Sequence, residues 1–174
     1  WQGLYVEGMT TLDYERGQAS HILEKPWQTD DSIGSWGYNI NAQYMTADCV
    51  VDKIIDIVSK NGNMLLNIPI RADGTLDETA TGILEDVGKW FRVNGEGIYG
   101  TRPWYRYGEG STLMSRRALE SPFTPNDVRY TTKGEYLYAF VLDWPEKRIV
   151  TLEFLAPGNY NVGEIKSVEL LGHD

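Results

Sequence analysis

Residues 46–69 read TADCVVDKIIDIVSKNGNMLLNIP, and this stretch decides the fold. Its first half predicts a helix, because Thr46 is a candidate N-cap and the apolar residues of 50–58 recur near the 3.6-residue period. Asn61-Gly62 is a signal that ends a helix. Met64 to Pro69 then forms a short apolar run without alternation, which is typical of a strand buried on both faces of a parallel sheet.

The flanking segments extend this pattern on both sides. Apolar residues within 80–91 recur at helical spacing, and Asn94-Gly95 ends the second predicted helix. Helix, buried strand and helix form part of a βα repeat, which needs further strands to close. Residues 1–44 are rich in Gly, Thr, Asp and Trp without a clear period, so we expect a long structured loop there.

The last part of the chain, residues 104–174, changes character. Short segments rich in aromatic and β-branched residues alternate with Pro and Gly turns, which indicates an antiparallel β-sandwich. The predicted strands are residues 128–132, 136–142, 149–155 and 165–171. We therefore expect an α/β domain over residues 1–103 and a truncated, all-β domain over 104–174.

Composition excludes several functional classes. The net charge of −9 argues against a general nucleic-acid binder, which needs basic residues to neutralise phosphates. A single cysteine, Cys49, rules out an internal disulfide framework, and it falls near an apolar helix face, where a buried thiol is expected. The two histidines lie far apart in sequence, which argues against a His-rich metal site. We expect no metal and no cofactor. No apolar run approaches the roughly 20 residues that span a bilayer, so we expect no membrane partner.

Several motifs resemble one known family in their order along nearly the whole chain. The segments 58–68, 73–75, 88–90, 93–96 and 98–104 resemble the distal catalytic barrel of the α-L-fucosidases, glycoside hydrolase family 29. The segment 35–39 (SWGYN) resembles the stretch before a barrel helix in that family. The segments 123–134 and 167–172 resemble its C-terminal β-domain. The resemblance implies the distal part of a (β/α) barrel followed by a β-sandwich.

The resemblance also implies a reaction. Family members are retaining exo-hydrolases that release terminal α-L-fucose from oligosaccharides or glycoconjugates without a metal. They use a nucleophilic carboxylate and an acid/base carboxyl group, which lie about 5–5.5 Å apart in retaining enzymes. No segment of this chain matches the family's nucleophile motif, so we expect that Asp upstream of Trp1 and an inactive isolated chain. A secreted or periplasmic parent protein is expected, with a lysosomal location as the alternative.

Glu15 is the candidate acid/base residue. It lies in the loop where family members carry that Glu, upstream of the SWGYN segment. A loop Glu at a barrel mouth can reach a glycosidic oxygen, and Glu7 and Asp13 are alternatives for the same role. A solvated Glu15 paired with Arg16 is the competing structural interpretation.

Three further residues are candidates for substrate binding. Trp36 matches the family's aromatic position that packs against fucose, a 6-deoxy sugar whose apolar face suits an aromatic wall. Trp27 is a candidate for the same entrance, and Arg16 for contact with a hydroxyl group. Core packing of the tryptophans and a salt bridge of Arg16 are the alternatives.

Three polar residues nearby have structural interpretations. Asp30 and Asp31 are predicted to be turn or cap residues. Asn67 ends the predicted strand, and barrel sites lie at such strand ends, so we expect its amide to brace the loops there.

Two other classes of function remain open at this point. The chain is compatible with a carbohydrate-binding module that holds sugar without cleaving it. It is also compatible with a structural or interaction fragment, in which apolar surface left uncovered would drive association.

Overall fold

The computed structural model describes residues 9–159 and 162–173. The elements in chain order are β1 (Asp13–Glu15), β2 (Trp27–Ser32), α1 (Ala47–Val58), β3 (Gly62–Asn67), α2 (Glu78–Asn94), β4 (Arg102–Glu109), β5 (Val128–Lys133) and β6 (Tyr136–Val141), with short 3₁₀ turns at Gly95–Gly97 and Glu153–Leu155. No helix among the described residues is long and apolar enough to cross a bilayer.

The N-terminal half contains a three-stranded parallel sheet in the order β1-β2-β3. The expectation of a loop over residues 1–44 is therefore wrong for β1 and β2. The sequence of β2, WQTDDS, is mostly polar, so it lacks the apolar pattern that marks a buried strand. Its polar residues are accommodated because Asp31 is paired with cations and because the alternate side chains lie on the other face of the sheet.

The helix and strand predicted from residues 46–69 are both present. The Thr46 side chain accepts a hydrogen bond from the Cys49 N–H at 3.2 Å, and Asn61 adopts a φ of 70° just before β3 begins. Burial of β3 on both faces was a wrong prediction, since Leu65 is 59% exposed. Met64 and Leu66 pack into the hydrophobic core, whereas Leu65 points to the opposite face.

The two helices cover the same face of the parallel sheet. The Asp77 carboxylate caps α2 by accepting the Ala80 N–H at 2.7 Å, and Ala80 and Val87 are buried against the core. That core includes residues of α1 and α2 and also Phe140 of β6. The α/β part and the second sheet therefore share one hydrophobic core.

The second sheet is antiparallel, in the order β4-β5-β6, and confirms the predicted strands near 128–132 and 136–142. The strands predicted at 149–155 and 165–171 are absent from the described residues, and so is a second sheet that would complete a sandwich. Val168 and Leu170 are 88% and 64% exposed, so these apolar side chains of the segment are not buried against a second sheet.

A carboxylate explains why residues 153–155 form a turn. The buried Glu109 side chain accepts the backbone N–H of Glu153 at 2.8 Å and that of Phe154 at 3.0 Å. It also accepts the Tyr130 hydroxyl. These N–H groups are therefore satisfied by a side chain instead of a neighbouring strand.

A buried ion-pair cluster fastens α1 to the second sheet. Asp56 accepts hydrogen bonds from Lys60 Nζ at 2.8 Å and from Arg129 Nε at 2.5 Å. All three side chains are almost fully buried. Removing Asp56 would leave two buried cations without a counter-charge, which makes the cluster a strong constraint on the relative position of the elements.

A second buried acid on α1 makes stability depend on pH. Burial raises the pKa of Asp52 to about 7, against the smaller opposing effect of the hydrogen bond that the Ser121 hydroxyl donates at 2.5 Å. The folded state binds the Asp52 proton more tightly than the unfolded state does. The free energy of unfolding therefore falls as pH rises from about 4 to about 7, where Asp52 loses its proton. We predict that Asp52→Asn stabilises the complete protein by about 2–4 kcal/mol at pH 8 and has little effect near pH 4.

Thermal unfolding across this pH range measures the effect. The exposed Glu85→Gln variant removes an acidic charge elsewhere on the surface and serves as the control. An Asp52→Asn melting profile that stays parallel to that of the parent protein from pH 4 to pH 8 would contradict the assignment.

Candidate active site

The three parallel strands end at one edge of the sheet. Glu15, Ser32 and Asn67 are the last residues of β1, β2 and β3. Active sites of parallel α/β folds lie at the carboxyl ends of their strands, which makes this edge the candidate site.

Glu15 is exposed at the end of β1, on the face of the sheet opposite Tyr14 and the helices. Its backbone carbonyl accepts a hydrogen bond from Arg116 Nη2 at 2.5 Å, which fixes the strand end without engaging the carboxyl group. The alternative residue Asp13 lies on the same face and is also exposed, with Gln28 Nε2 donating to it at 3.4 Å. Glu7 lies outside the described residues.

Asp30 pairs with Glu15 in the register of β1 and β2, so the prediction of a turn residue was wrong. Its Oδ1 atom is buried and has no hydrogen-bond partner within the described part of the chain. Burial, followed by repulsion from Asp13, raises the pKa of Asp30, and Glu15 adds to this repulsion. The exposed face of the sheet therefore carries closely spaced carboxyl groups beside Glu15.

Arg16 turns the chain at the end of β1 and holds the strand ends together. Its backbone has a φ of 52°, and its N–H donates to the Asp30 carbonyl at 2.8 Å. Its guanidinium forms an ion pair with Asp31 at 3.1 Å and donates to the Gly34 carbonyl at 2.9 Å. The salt-bridge interpretation of Arg16 is therefore confirmed.

Asp31 bridges two cations inside the protein. Lys53 Nζ of α1 donates to its Oδ2 at 2.7 Å, and Arg16 Nη1 donates to its Oδ1. Asp31 and Lys53 are 2% and 3% exposed. The sequence prediction of a turn or cap at Asp31 was wrong, because the carboxylate balances charge between β1, β2 and α1.

Trp36 is the exposed aromatic residue beside this network. It is 43% exposed, and the Arg16 guanidinium lies 4.6 Å from its ring centre, within cation–π range. Asn67 Nδ2 donates to the Trp36 carbonyl at 3.1 Å and to Ser32 Oγ at 2.9 Å. The predicted bracing role of Asn67 is confirmed, because its amide joins the end of β3 to Ser32 at the end of β2 and to the backbone of Trp36.

Trp27 belongs to the core. It has no exposed surface, its Nε1–H donates to the Lys60 carbonyl at 2.9 Å, and its ring packs edge-on against Tyr14. It pairs in register with Gly62, where an added Cβ would come within 2.5 Å of the indole. Trp27 therefore does not line the entrance, and the packing alternative applies.

Lys53 was missed in the sequence, although a signal was present. It lies between Val50 and Ile54 in a helix whose apolar residues cover most of one side. A cation on such a face needs an acidic partner when it is buried. Within the described ranges, no group of three or more His, Cys, Asp or Glu side chains is arranged to hold a metal ion.

We predict that Asp31→Ala lowers the free energy of unfolding of the complete protein by about 3–5 kcal/mol, because it leaves Lys53 buried without a counter-charge. Denaturation by urea measures the loss. The matched control is Asp86→Ala, which breaks the exposed Asp86–Lys89 pair at 2.7 Å and is expected to leave the midpoint unchanged. Equal midpoints for the two variants would refute the bridging role.

Comparisons of the sequence with protein-family models give two matches. Residues 3–96 match the model of alpha-L-fucosidase, and residues 121–174 match the alpha-L-fucosidase C-terminal domain. Together these ranges account for more than half of the chain.

Named relatives and solved structures agree with the family models. The plasma alpha-L-fucosidase of Rattus norvegicus is 35% identical over 166 residues, covering 91% of this chain and 32% of the relative. The tissue alpha-L-fucosidase of Homo sapiens is 34% identical over 137 residues, covering 76% and 27%. The alpha-fucosidase of Thermotoga maritima in complex with fucose superposes with a TM-score of 0.62 at 29% identity, covering 74% and 28%. Isoenzyme 1 of Paenibacillus thiaminolyticus gives 0.60 at 32% identity, covering 77% and 30%.

The chain spans about a third of the length of the curated relatives that it matches. The first family model matches the part of the chain that contains the parallel sheet, and the second matches the part that contains strands β5 and β6 of the antiparallel sheet. This chain belongs to the α-L-fucosidase family.

Proposed function

We propose that the complete protein is a retaining exo-α-L-fucosidase that releases terminal α-L-fucose from oligosaccharides or glycoconjugates. The observation that carries this proposal is the arrangement at one edge of the parallel sheet. There the exposed carboxyl-bearing residue Glu15 is followed directly by Arg16, whose guanidinium lies over the exposed ring of Trp36. In this proposal Glu15 supplies one of the two carboxyl groups that a retaining hydrolase uses, and an exposed aromatic ring suits the apolar face of a deoxysugar.

We propose that residues 1–103 are the distal part of a (β/α) barrel and that residues 104–174 belong to a β-sandwich domain. Three parallel strands covered by helices on one face support the barrel interpretation. On the opposite face the strands carry mainly polar side chains, including Asp13, Gln28, Asp30 and Asn63. Polar side chains near the strand ends are typical of the inner wall at the mouth of a barrel. A face that packs against another hydrophobic layer would carry apolar side chains instead.

The proposed reaction has two steps. A carboxylate from outside these 174 residues attacks the anomeric carbon while the Glu15 carboxyl group gives its proton to the leaving oxygen. Glu15, now a carboxylate, then takes a proton from water, which attacks the glycosyl-enzyme bond and frees both fucose and the nucleophile. Both inversions together retain the configuration at the anomeric carbon.

The surrounding residues have positioning and binding roles in this scheme. Trp36 binds the apolar face of fucose through the ring surface that Arg16 does not cover. Arg16 orients Trp36 and ties the end of β1 to β2 through Asp31. Its donors to Asp31 and Gly34 are occupied, so we assign it a positioning role ahead of direct sugar contact.

The names of the relatives bear on substrate and location. They include plasma and tissue α-L-fucosidases, and none of the relatives named above is described as a binding module without activity. We therefore retain one function, with fucosylated oligosaccharides or glycoconjugates as substrates. A secreted or periplasmic location is proposed for the parent protein, and a lysosomal location is the alternative.

We predict that Glu15→Gln in the complete protein lowers kcat/KM at least a hundredfold for fucosides with poor leaving groups. The kcat/KM for a nitrophenyl fucoside should fall much less, because nitrophenolate is a good leaving group that departs without being protonated. Steady-state assays on both substrates measure this difference. Asp13→Asn is the matched control on the same face of the same strand, and it tests the competing candidate directly.

Three outcomes would overturn parts of this assignment. If Asp13→Asn slows fucosides with poor leaving groups much more than nitrophenyl fucoside, and Glu15→Gln slows neither, then Asp13 is the acid/base residue. Robust hydrolysis of an aryl fucoside by the isolated 174-residue chain would refute a nucleophile outside it. Absence of fucose release by the complete protein would reject the proposed function.

A further inference from the structure

An arginine from the second half of the chain reaches the end of β1. Arg116 lies in the connection between β4 and β5, and its Nη2 donates to the Glu15 carbonyl at 2.5 Å, across 101 residues of sequence. Its Nε also lies against the turn that follows β1, since a Cβ added at Gly17 would lie 3.6 Å from it. The reaction described above assigns no role to this side chain.

The contact falls on the peptide group that joins Glu15 to Arg16. The Glu15 C=O and the Arg16 N–H belong to the same planar, trans unit, so they point in opposite directions. The N–H donates to the Asp30 carbonyl of β2 at 2.8 Å, and the C=O, which faces away from β2, accepts Arg116. The peptide plane is therefore held from both sides, and with it the Cα atom from which the Glu15 side chain extends.

The end of β1 needs support of this kind because the strand is short. It has three residues, and Glu15 is the last of them. The next residue, Arg16, leaves the strand with a φ of 52°, a left-handed conformation that is unfavourable for most residues other than glycine. A backbone in that region persists only where the surrounding contacts determine it.

The segment next to Arg116 is anchored along α1. The N-cap of the helix and two residues of its first two turns, at intervals of three, lie on one side of the helix and hydrogen-bond residues 118–121. These pairs are the Thr46 N–H with the Leu119 carbonyl at 2.8 Å, the Cys49 thiol with the Ala118 carbonyl at 3.5 Å, and Asp52 with the Ser121 hydroxyl at 2.5 Å. Three anchors on one helix leave the segment little freedom to shift.

These anchors also carry the segment towards the candidate site. The Met45 N–H donates to the Ile33 carbonyl at 2.7 Å, so α1 begins beside the end of β2. Because the N-cap residue Thr46 binds Leu119, the segment reaches the edge of the sheet at which the strands end. Arg116 extends from there to β1, so the position of its guanidinium is set by a helix although its side chain is exposed.

We propose that Arg116 is a positioning residue for Glu15, which holds the backbone so that the acid/base carboxyl group is directed at the leaving oxygen. The inference rests on the proposed function and adds to the same site a residue from the connection between two strands of the antiparallel sheet. Arg116 acts through Glu15 and not through contact with fucose. Its loss therefore affects the step in which Glu15 gives up its proton.

The test uses the leaving-group dependence of the complete protein. Arg116→Met removes the guanidinium and keeps most of the aliphatic side chain. It should lower kcat/KM about tenfold for a fucoside with a poor leaving group, because displacing a catalytic group by about 1 Å can cost up to about a hundredfold. The kcat/KM for nitrophenyl fucoside should change by less than about twofold, since nitrophenolate departs without that proton.

Two further variants separate positioning from other effects. Arg117→Met removes the same charge from the adjacent exposed residue, and it should change kcat/KM for neither substrate. In the Glu15→Gln background, Arg116→Met should cause no further loss with the poor leaving group, because the proton donor is already absent. Losses that multiply in the double variant would show that Arg116 acts independently of Glu15 and would contradict the inference.

The remaining results distinguish this inference from the proposed function. If Arg116→Met slows both substrates equally, slows neither, or has the same effect as Arg117→Met, then Arg116 does not position Glu15. If the parent protein releases no fucose, or if Glu15→Gln leaves kcat/KM unchanged, the proposed function or its acid/base residue is wrong and this inference fails with it. A parent protein that depends on Glu15 but not on Arg116 refutes this inference alone.

Discussion

The two-sided pairing of Asp31 holds the candidate site together. Its carboxylate accepts one cation from the end of β1 and another from α1, in a region almost closed to solvent. A buried carboxylate is costly to desolvate, and the two cationic partners of Asp31 offset that cost. Because one of those partners, Arg16, also lies over Trp36, the position of the aromatic wall depends on this ion pair.

The same network explains why the sheet has two different faces. The residues that point towards α1 and α2 are apolar or fully paired, as Trp27 and Asp31 are. The other face has carboxyl groups in adjacent strands. Asp30, whose Oδ1 has no hydrogen-bond partner among the described residues, lies next to Glu15 in register. Burial, followed by repulsion from the neighbouring carboxyl groups, raises the pKa of Asp30 on this face.

Sequence patterns predicted the apolar elements and missed the polar ones. Thr46 to Asn67 has clear caps and periodicity, so α1 and β3 followed from local rules. β2 was missed because its polar residues are satisfied by Arg16 and Lys53, which are distant contacts that periodicity does not contain. The strand predicted at 149–155 failed for a related reason, since the Glu109 carboxylate binds its backbone. Trp36 is a candidate sugar-binding residue through resemblance alone, because no periodicity or cap marks it in the sequence.

The most direct measurement is a crystal structure of the complete protein with bound fucose. The account predicts the apolar face of the sugar against Trp36 and the Glu15 carboxyl group within about 2.6–3.2 Å of the anomeric oxygen. Asp31 should still bridge Arg16 and Lys53 in that complex. Fucose bound at a distance from Trp36, with the Glu15 side chain directed into solvent, would contradict the account.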